Sequence, residues 1–98
     1  MRQMPNATGF DWDQGNERKS HDKHGVSKSE AEQVFFNIPM LVLDDVKHSM
    51  SEPRFHALGK TDVGRLLHAS FTLRDKKIRV ISVRDMHKKE RSFYEKNT

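Results

Sequence analysis

Cysteine is absent from this chain, which excludes a disulfide framework, a zinc ribbon and a thiolate nucleophile together. A chain without cysteine is at home in a reducing compartment. No apolar run approaches the roughly 20 residues that a bilayer-spanning helix needs, and the opening "MRQMPNATG" lacks the apolar core of a secretory signal. A cytoplasmic protein with no membrane segment is therefore expected. Hydrophobic residues are also scarce, 34% of the chain against 33% charged, so the core must be thin. The 98 residues suit one small domain of modest stability. A partner covering one face would add to that stability.

Charge is present in quantity and unevenly placed. The net charge is +4, yet Arg65 to Thr98 carries ten Lys or Arg against four Asp or Glu, leaving eight against ten in residues 1–64. Concentrated positive charge captures polyanions, so nucleic acid is the first candidate partner and an acidic protein the second.

Residues 1–8 show no period and contain Pro5, and they read as a flexible N-terminal arm; residues 9–98 form the single domain. In "GFDWD", Phe10 and Trp12 share one face of a short strand. Asp13 can cap a first helix over about Gln14–His24, ended by Gly25, although this segment has almost no apolar stripe. Ser27 followed by Glu30 is a capping box with Val26 and Ala31 at the staple positions. A second helix over Lys28–Phe36 is predicted, stopped before Pro39. Strands follow at "MLVLDD", "RFHALGK", "RLLHASFTLR" and "KIRVISVR", the last three joined by connections short enough for hairpins. A terminal helix with Asp85 at its N-cap carries Met86, Phe93 and Tyr94 on one stripe. The expected fold is α+β, a small antiparallel sheet with two N-terminal helices and one C-terminal helix.

Alternation sorts Leu67, Ala69, Phe71 and Leu73 to one face of the sheet and His68, Ser70, Thr72 and Arg74 to the other. Likewise Arg54, His56, Leu58 and Lys60 oppose Phe55, Ala57 and Gly59. In "KIRVISVR" the same rule puts Arg79 and Arg84 on opposite sides unless a bulge re-aims one. One reading of these cations is a polyanion-binding open face, and the other is a solvated surface that discourages sheet-to-sheet pairing.

The segments "FDWDQGNERKSHDKHGVSKSEAEQVF", "HALGKTDVGRLL", "FTLRDKKIRVISVRDMHKKER" and "FYE" resemble the BrnT family of toxins, with motifs in family order from Gly9 to Lys96. The resemblance implies a small ribonuclease toxin of a type II toxin–antitoxin pair with a RelE-like fold. It implies an RNA substrate and a BrnA-like antitoxin partner that binds operator DNA on behalf of the complex, in a 2:2 assembly. Ser20, Lys28, Pro53 and His68 depart from the family pattern, which keeps open the alternative of a decayed toxin serving as a scaffold for its DNA-binding partner. A direct DNA-binding role is the weaker third reading, since no helix pairs an apolar back with a base-reading front.

Metal-independent RNA cleavage needs a base for the 2′-hydroxyl, stabilisation of the phosphate charge and an acid for the 5′-oxygen. A guanidinium suits the second task through its planar fork. Arg74, Arg79 and Arg84 are the candidate catalytic arginines, each of which is also, taken singly, an ordinary surface cation. His24, at a helix C-terminus where the dipole favours an imidazolium, joins them as candidate acid or as a C-capping side chain. His56 and His68 are candidates for the base from the open face. Lys19, Lys23, Arg54 and Arg65 are expected to contact nucleic acid. His21 and His24 share a helical face, but nothing completes a metal site around them, and no cofactor is expected.

Overall fold

A computed structural model of the chain describes residues 4, 6–12, 15 and 23–98. Ser27 begins the α-helix α1 (Lys28–Phe36) through a complete capping box: its hydroxyl accepts from Glu30 N at 3.1 Å and its own N–H donates to the Glu30 carboxylate at 3.1 Å. Val26 and Ala31, the staple pair, are both buried. The strands are β1 (Gly9–Phe10), β2 (Leu41–Asp44), β3 (Arg54–Lys60), β4 (Leu66–Arg74) and β5 (Lys77–Asp85), followed by α2 (Lys88–Lys96). They form one five-stranded sheet in the order β1-β5-β4-β3-β2.

Two features correct the expectation of a purely antiparallel sheet behind two N-terminal helices. The sheet is mixed, because β1 runs parallel to β5 while the other pairs are antiparallel. Thr8 N donates to Lys76 O at 2.7 Å and Asp11 N to Ile78 O at 2.9 Å, so the short β1 satisfies part of an edge that β5 would otherwise present unpaired. Of the helices whose bounds lie among the described residues, one is N-terminal and one C-terminal. The helix expected over Gln14–His24 lies for most of its length outside the described residues.

On one face of the sheet, α1 packs over β3 and β4. Phe71, fully buried, is the centre of this core, with the Phe35 ring 5.1 Å and the Phe55 ring 5.3 Å away. The helix comes close because Gly59 has no side chain: a Cβ there would stand 2.9 Å from Val34 Cγ1. On the opposite face α2 covers only one end, where Tyr94 and Met86 pack with Leu41 and Leu58, and the Tyr94 hydroxyl donates to Pro39 O at 2.6 Å. His87, not Asp85, caps this helix. Asp85 is instead the last residue of β5 and an acceptor for Arg65. No helix among the described residues is long and apolar enough to cross a membrane.

Candidate nucleic-acid site

The sheet face away from α1 is organised in cross-strand rows. Leu58, His68 and Arg84 stand opposite one another in one row, His56, Ser70 and Ser82 in the next, and Arg54, Thr72 and Arg79 in a third. Strict alternation along β5 would have separated Arg79 from Arg84. A register shift intervenes, since Ser70 pairs with Ser82 but Phe71 pairs with Val80. Ile81 is the extra residue of this bulge, and it brings both arginines to the same face.

The first two rows floor a concave pocket of about 610 Å³ whose wall is the exposed side of α2, with Lys89, Glu90 and Phe93. That size lies within the range of small-ligand and substrate sites. His56 and His68 lie ring to ring in it, with centroids 4.8 Å apart. Alternation had already put both on this face.

The pocket's charges are strongly coupled. Arg84 donates to both Glu90 carboxylate oxygens, at 2.8 and 3.0 Å, and to Asp85 O at 3.1 Å, which engages three of its five N–H groups. Glu90 also accepts from His87 N at 2.8 Å. Burial works to raise the Glu90 carboxyl, but the hydrogen bonds from Arg84 and His87, with the charges of His68 and Arg84, bring it down to about 2. His68 moves the other way. Burial, reinforced by the Arg84 charge and opposed by Glu90, pushes its imidazole down to about 4. It is neutral at pH 7, so its 3.9 Å approach to Glu90 is neither an ion pair nor, at that length, a hydrogen bond. Its Nδ1 is buried without a partner.

His56 is held from below. Asp45, just past β2, is buried, accepts from His48 Nδ1 at 2.9 Å, and faces His56 Nε2 at 3.3 Å. Burial acts to raise the Asp45 carboxyl, yet the hydrogen bond from His48 and the neighbouring imidazoles leave it below the ordinary carboxylate value. On the other edge of the ring, His56 Nδ1 lies 3.3 Å from Ser70 Oγ. Asp45 was missed in the sequence, where the only trace of its role is the Asp–His spacing in "DDVKH".

The remaining candidates are dispersed. Arg79 and Arg84 oppose Thr72 and His68, four residues or about 13 Å apart along β4. Around Arg79 lies a second cationic group, in which Arg74 pairs with Glu52 at 3.2 Å and the charges of Arg74, Arg54 and Arg79 all act on that carboxylate. Arg54 Nε is buried without a partner. Arg65 points elsewhere: it pairs with Asp85 at 2.7 Å and Glu30 at 3.1 Å and donates to the carbonyls of Gly25 and His24, clamping the start of α1 to the end of β5. His24 is half-buried beside that clamp and does not line the pocket, and Lys23 is exposed. Lys19 lies outside the described residues. Among the described residues no three of His, Asp and Glu converge as a metal-ligand group.

Residues 12–90 match the model of a family described as the ribonuclease toxin, BrnT, of type II toxin–antitoxin systems. No curated protein sequence matches the chain. Among solved structures, the crystal structure of the Brucella abortus ribonuclease toxin BrnT aligns with a TM-score of 0.62 at 18% identity, covering 84% of this chain and 100% of that one. At that identity the likeness speaks for a shared fold. The family match, extending over most of the sequence and taking in every residue that lines the pocket except Phe93, carries the assignment: this chain belongs to the BrnT family of ribonuclease toxins of type II toxin–antitoxin systems.

Proposed function

We propose that this chain is a metal-independent endoribonuclease that cleaves RNA in the pocket over β3, β4 and β5, acts in the cytoplasm and is neutralised there by a BrnA-like antitoxin. The observation that carries the reading is His56, a titratable ring on the floor of an open pocket, with Ser70 at one nitrogen, a carboxylate at the other and Arg84 in the same concavity. His56 is the general base that takes the 2′-hydroxyl proton. Arg84, fixed by Glu90, directs its two remaining N–H groups to the phosphate. Arg54, Arg74 and Arg79 hold the flanking backbone by charge. The antitoxin covers the pocket and binds operator DNA on behalf of a complex of two toxins and two antitoxins.

The test is cleavage of single-stranded RNA by purified protein in excess EDTA, comparing wild type with His56→Asn and Arg84→Ala. Cleavage by wild type that is lost in His56→Asn and reduced at least tenfold in Arg84→Ala supports the reading. Dependence on an added divalent ion defeats metal independence, and full activity of His56→Asn defeats the assigned base. A second reading, the non-catalytic scaffold, is favoured by one observation: Arg74 and Arg84 are both engaged in ion pairs. It requires that the wild type cleave no RNA and leave growth unaffected on induction, yet bind the antitoxin.

A further inference from the structure

The carboxylate beneath His56 is expensive to keep there. Asp45 has a side chain only 10% exposed, and withdrawing a charge from water is unfavourable unless its partners compensate. Its backbone is pinned as well, since Asp45 N donates to Arg54 O at 2.9 Å and Ser49 Oγ donates to Asp45 O at 2.7 Å. His48 holds both carboxylate oxygens, at 3.1 and 2.9 Å. A staple for the loop would need only the exposed His48. The approach of the same carboxylate to His56 Nε2, at 3.3 Å, lies on the pocket side and is left over by that explanation.

We propose that Asp45 is a positioning residue for His56, keeping the hydrogen on Nε2 so that Nδ1 presents its lone pair to the ribose 2′-hydroxyl. A carboxylate has only lone pairs to offer, so the nitrogen facing it carries the hydrogen and the other nitrogen of the neutral ring accepts. The Ser70 hydroxyl, 3.3 Å from Nδ1, donates to that lone pair and marks where a substrate hydroxyl arrives. The charged and titratable groups around His56 are Asp45 and His48 from the loop, His68 from β4, Arg84 from β5, and Lys89 and Glu90 from α2. Among these, Asp45 is the acceptor at Nε2.

This inference rests on the nuclease reading above and specifies its proton transfer. Nδ1 takes the 2′-hydroxyl proton as the 2′-oxygen bonds to the adjacent phosphorus. The bond from phosphorus to the 5′-oxygen breaks, and the departing oxygen takes a proton from water. The resulting hydroxide removes the proton from His56, leaving a 2′,3′-cyclic phosphate, a 5′-hydroxyl end and the starting enzyme. Asp45 faces the transient imidazolium throughout.

Asp45→Asn and His56→Asn are compared with wild type in a cleavage assay across pH 5–9. Asp45→Asn is expected to lower kcat about 10–100-fold with KM changed less than threefold, and to move the acid limb of the pH–rate profile to lower pH, because the imidazolium loses its anion. An unshifted acid limb in a folded Asp45→Asn protein, with His56→Asn inactive, overturns the positioning role and spares the nuclease reading. Wild type that cleaves no RNA, or His56→Asn that cleaves normally, overturns the underlying reading instead. Should Asp45→Asn fail to fold, nitrogen-15 NMR of wild-type His56 decides: the Nε2–H tautomer is expected, and Nδ1–H overturns the proposal.

Discussion

His68 is an imidazole that burial holds neutral, and His68→Leu tests that description. Its Nδ1 is buried without a partner, a condition that costs about 1–3 kcal/mol. Leucine removes the polar atom while filling the space beside Leu58 and Phe93, so a net gain of about 1 kcal/mol is expected at pH 7.5. The larger effect is in the pH dependence. Because the folded imidazole titrates at about 4 instead of the ordinary 6.5, the unfolded chain binds more protons between those values. Stability attributable to this site is therefore complete above pH 6.5 and is lost as pH falls toward 4. At 1.36 kcal/mol per pH unit, that loss is about 3 kcal/mol, equivalent to roughly 12 °C or more in Tm for a domain of this size. The stability that the depressed Glu90 carboxyl contributes is lost only below its ordinary 4.5, down to about 2, so the two windows separate. Urea denaturation of both proteins at pH 7.5 and 4.5 isolates His68, since the other histidines occur in both chains. The advantage of His68→Leu should grow by 2–3 kcal/mol on acidification. An equal advantage at the two pH values would refute the claim that this ring is buried neutral.

Further expectations follow from the packing and the turns. Gly59→Ala places a Cβ 2.9 Å from Val34 Cγ1 and 3.1 Å from the Val34 carbonyl and should cost about 1–3 kcal/mol in urea denaturation, with any residual folded fraction cleaving RNA normally. The β4–β5 hairpin turns through Asp75 and Lys76 at φ values of 50° and 63°, a type I′ conformation suited to Asn-Gly; Asp75→Asn with Lys76→Gly should raise stability by about 1 kcal/mol, and an unchanged urea midpoint counts against it. Arg65→Ala should lower stability by about 2 kcal/mol, because it releases Glu30, Asp85 and two carbonyls, while RNA affinity of the folded protein stays the same; a selective loss of RNA binding at unchanged stability would contradict the clamp. Arg79→Ala, measured by RNA binding in a His56→Asn background, should weaken all sequences similarly and reduce the slope of log K against log salt by about 0.7.

The arrangement of arginines bears on how such a face can bind RNA. Fixing Arg84 through Glu90 reduces the side-chain freedom that phosphate binding would otherwise have to remove. The cluster around Glu52 is more exposed, and its members act as a field spread over the sheet. On the proposed reading, one face would offer RNA a preorganised contact at the pocket and a diffuse attraction about 13 Å away along β4.

Sequence alone determined the features that depend on neighbours in the chain. The capping box at Ser27 and Glu30, the limits of β3, the start of β5 and the two faces of β4 all follow from interactions three residues apart or from a period of two. What depends on the partner chosen across the fold was decided by tertiary structure. The bulge at Ile81 arises where β5 must match β4 on both sides of Ser70 and Phe71, and only its presence brings Arg79 and Arg84 to one face. The parallel β1 became visible once β5 had a free edge to offer. The approach of Asp45 to His56 and the ion pairs of Arg65, Arg74 and Arg84 likewise depend on strand register and helix packing. A charge in the sequence has a sign, but whether it meets solvent, substrate or an opposite charge depends on which segments the core brings together.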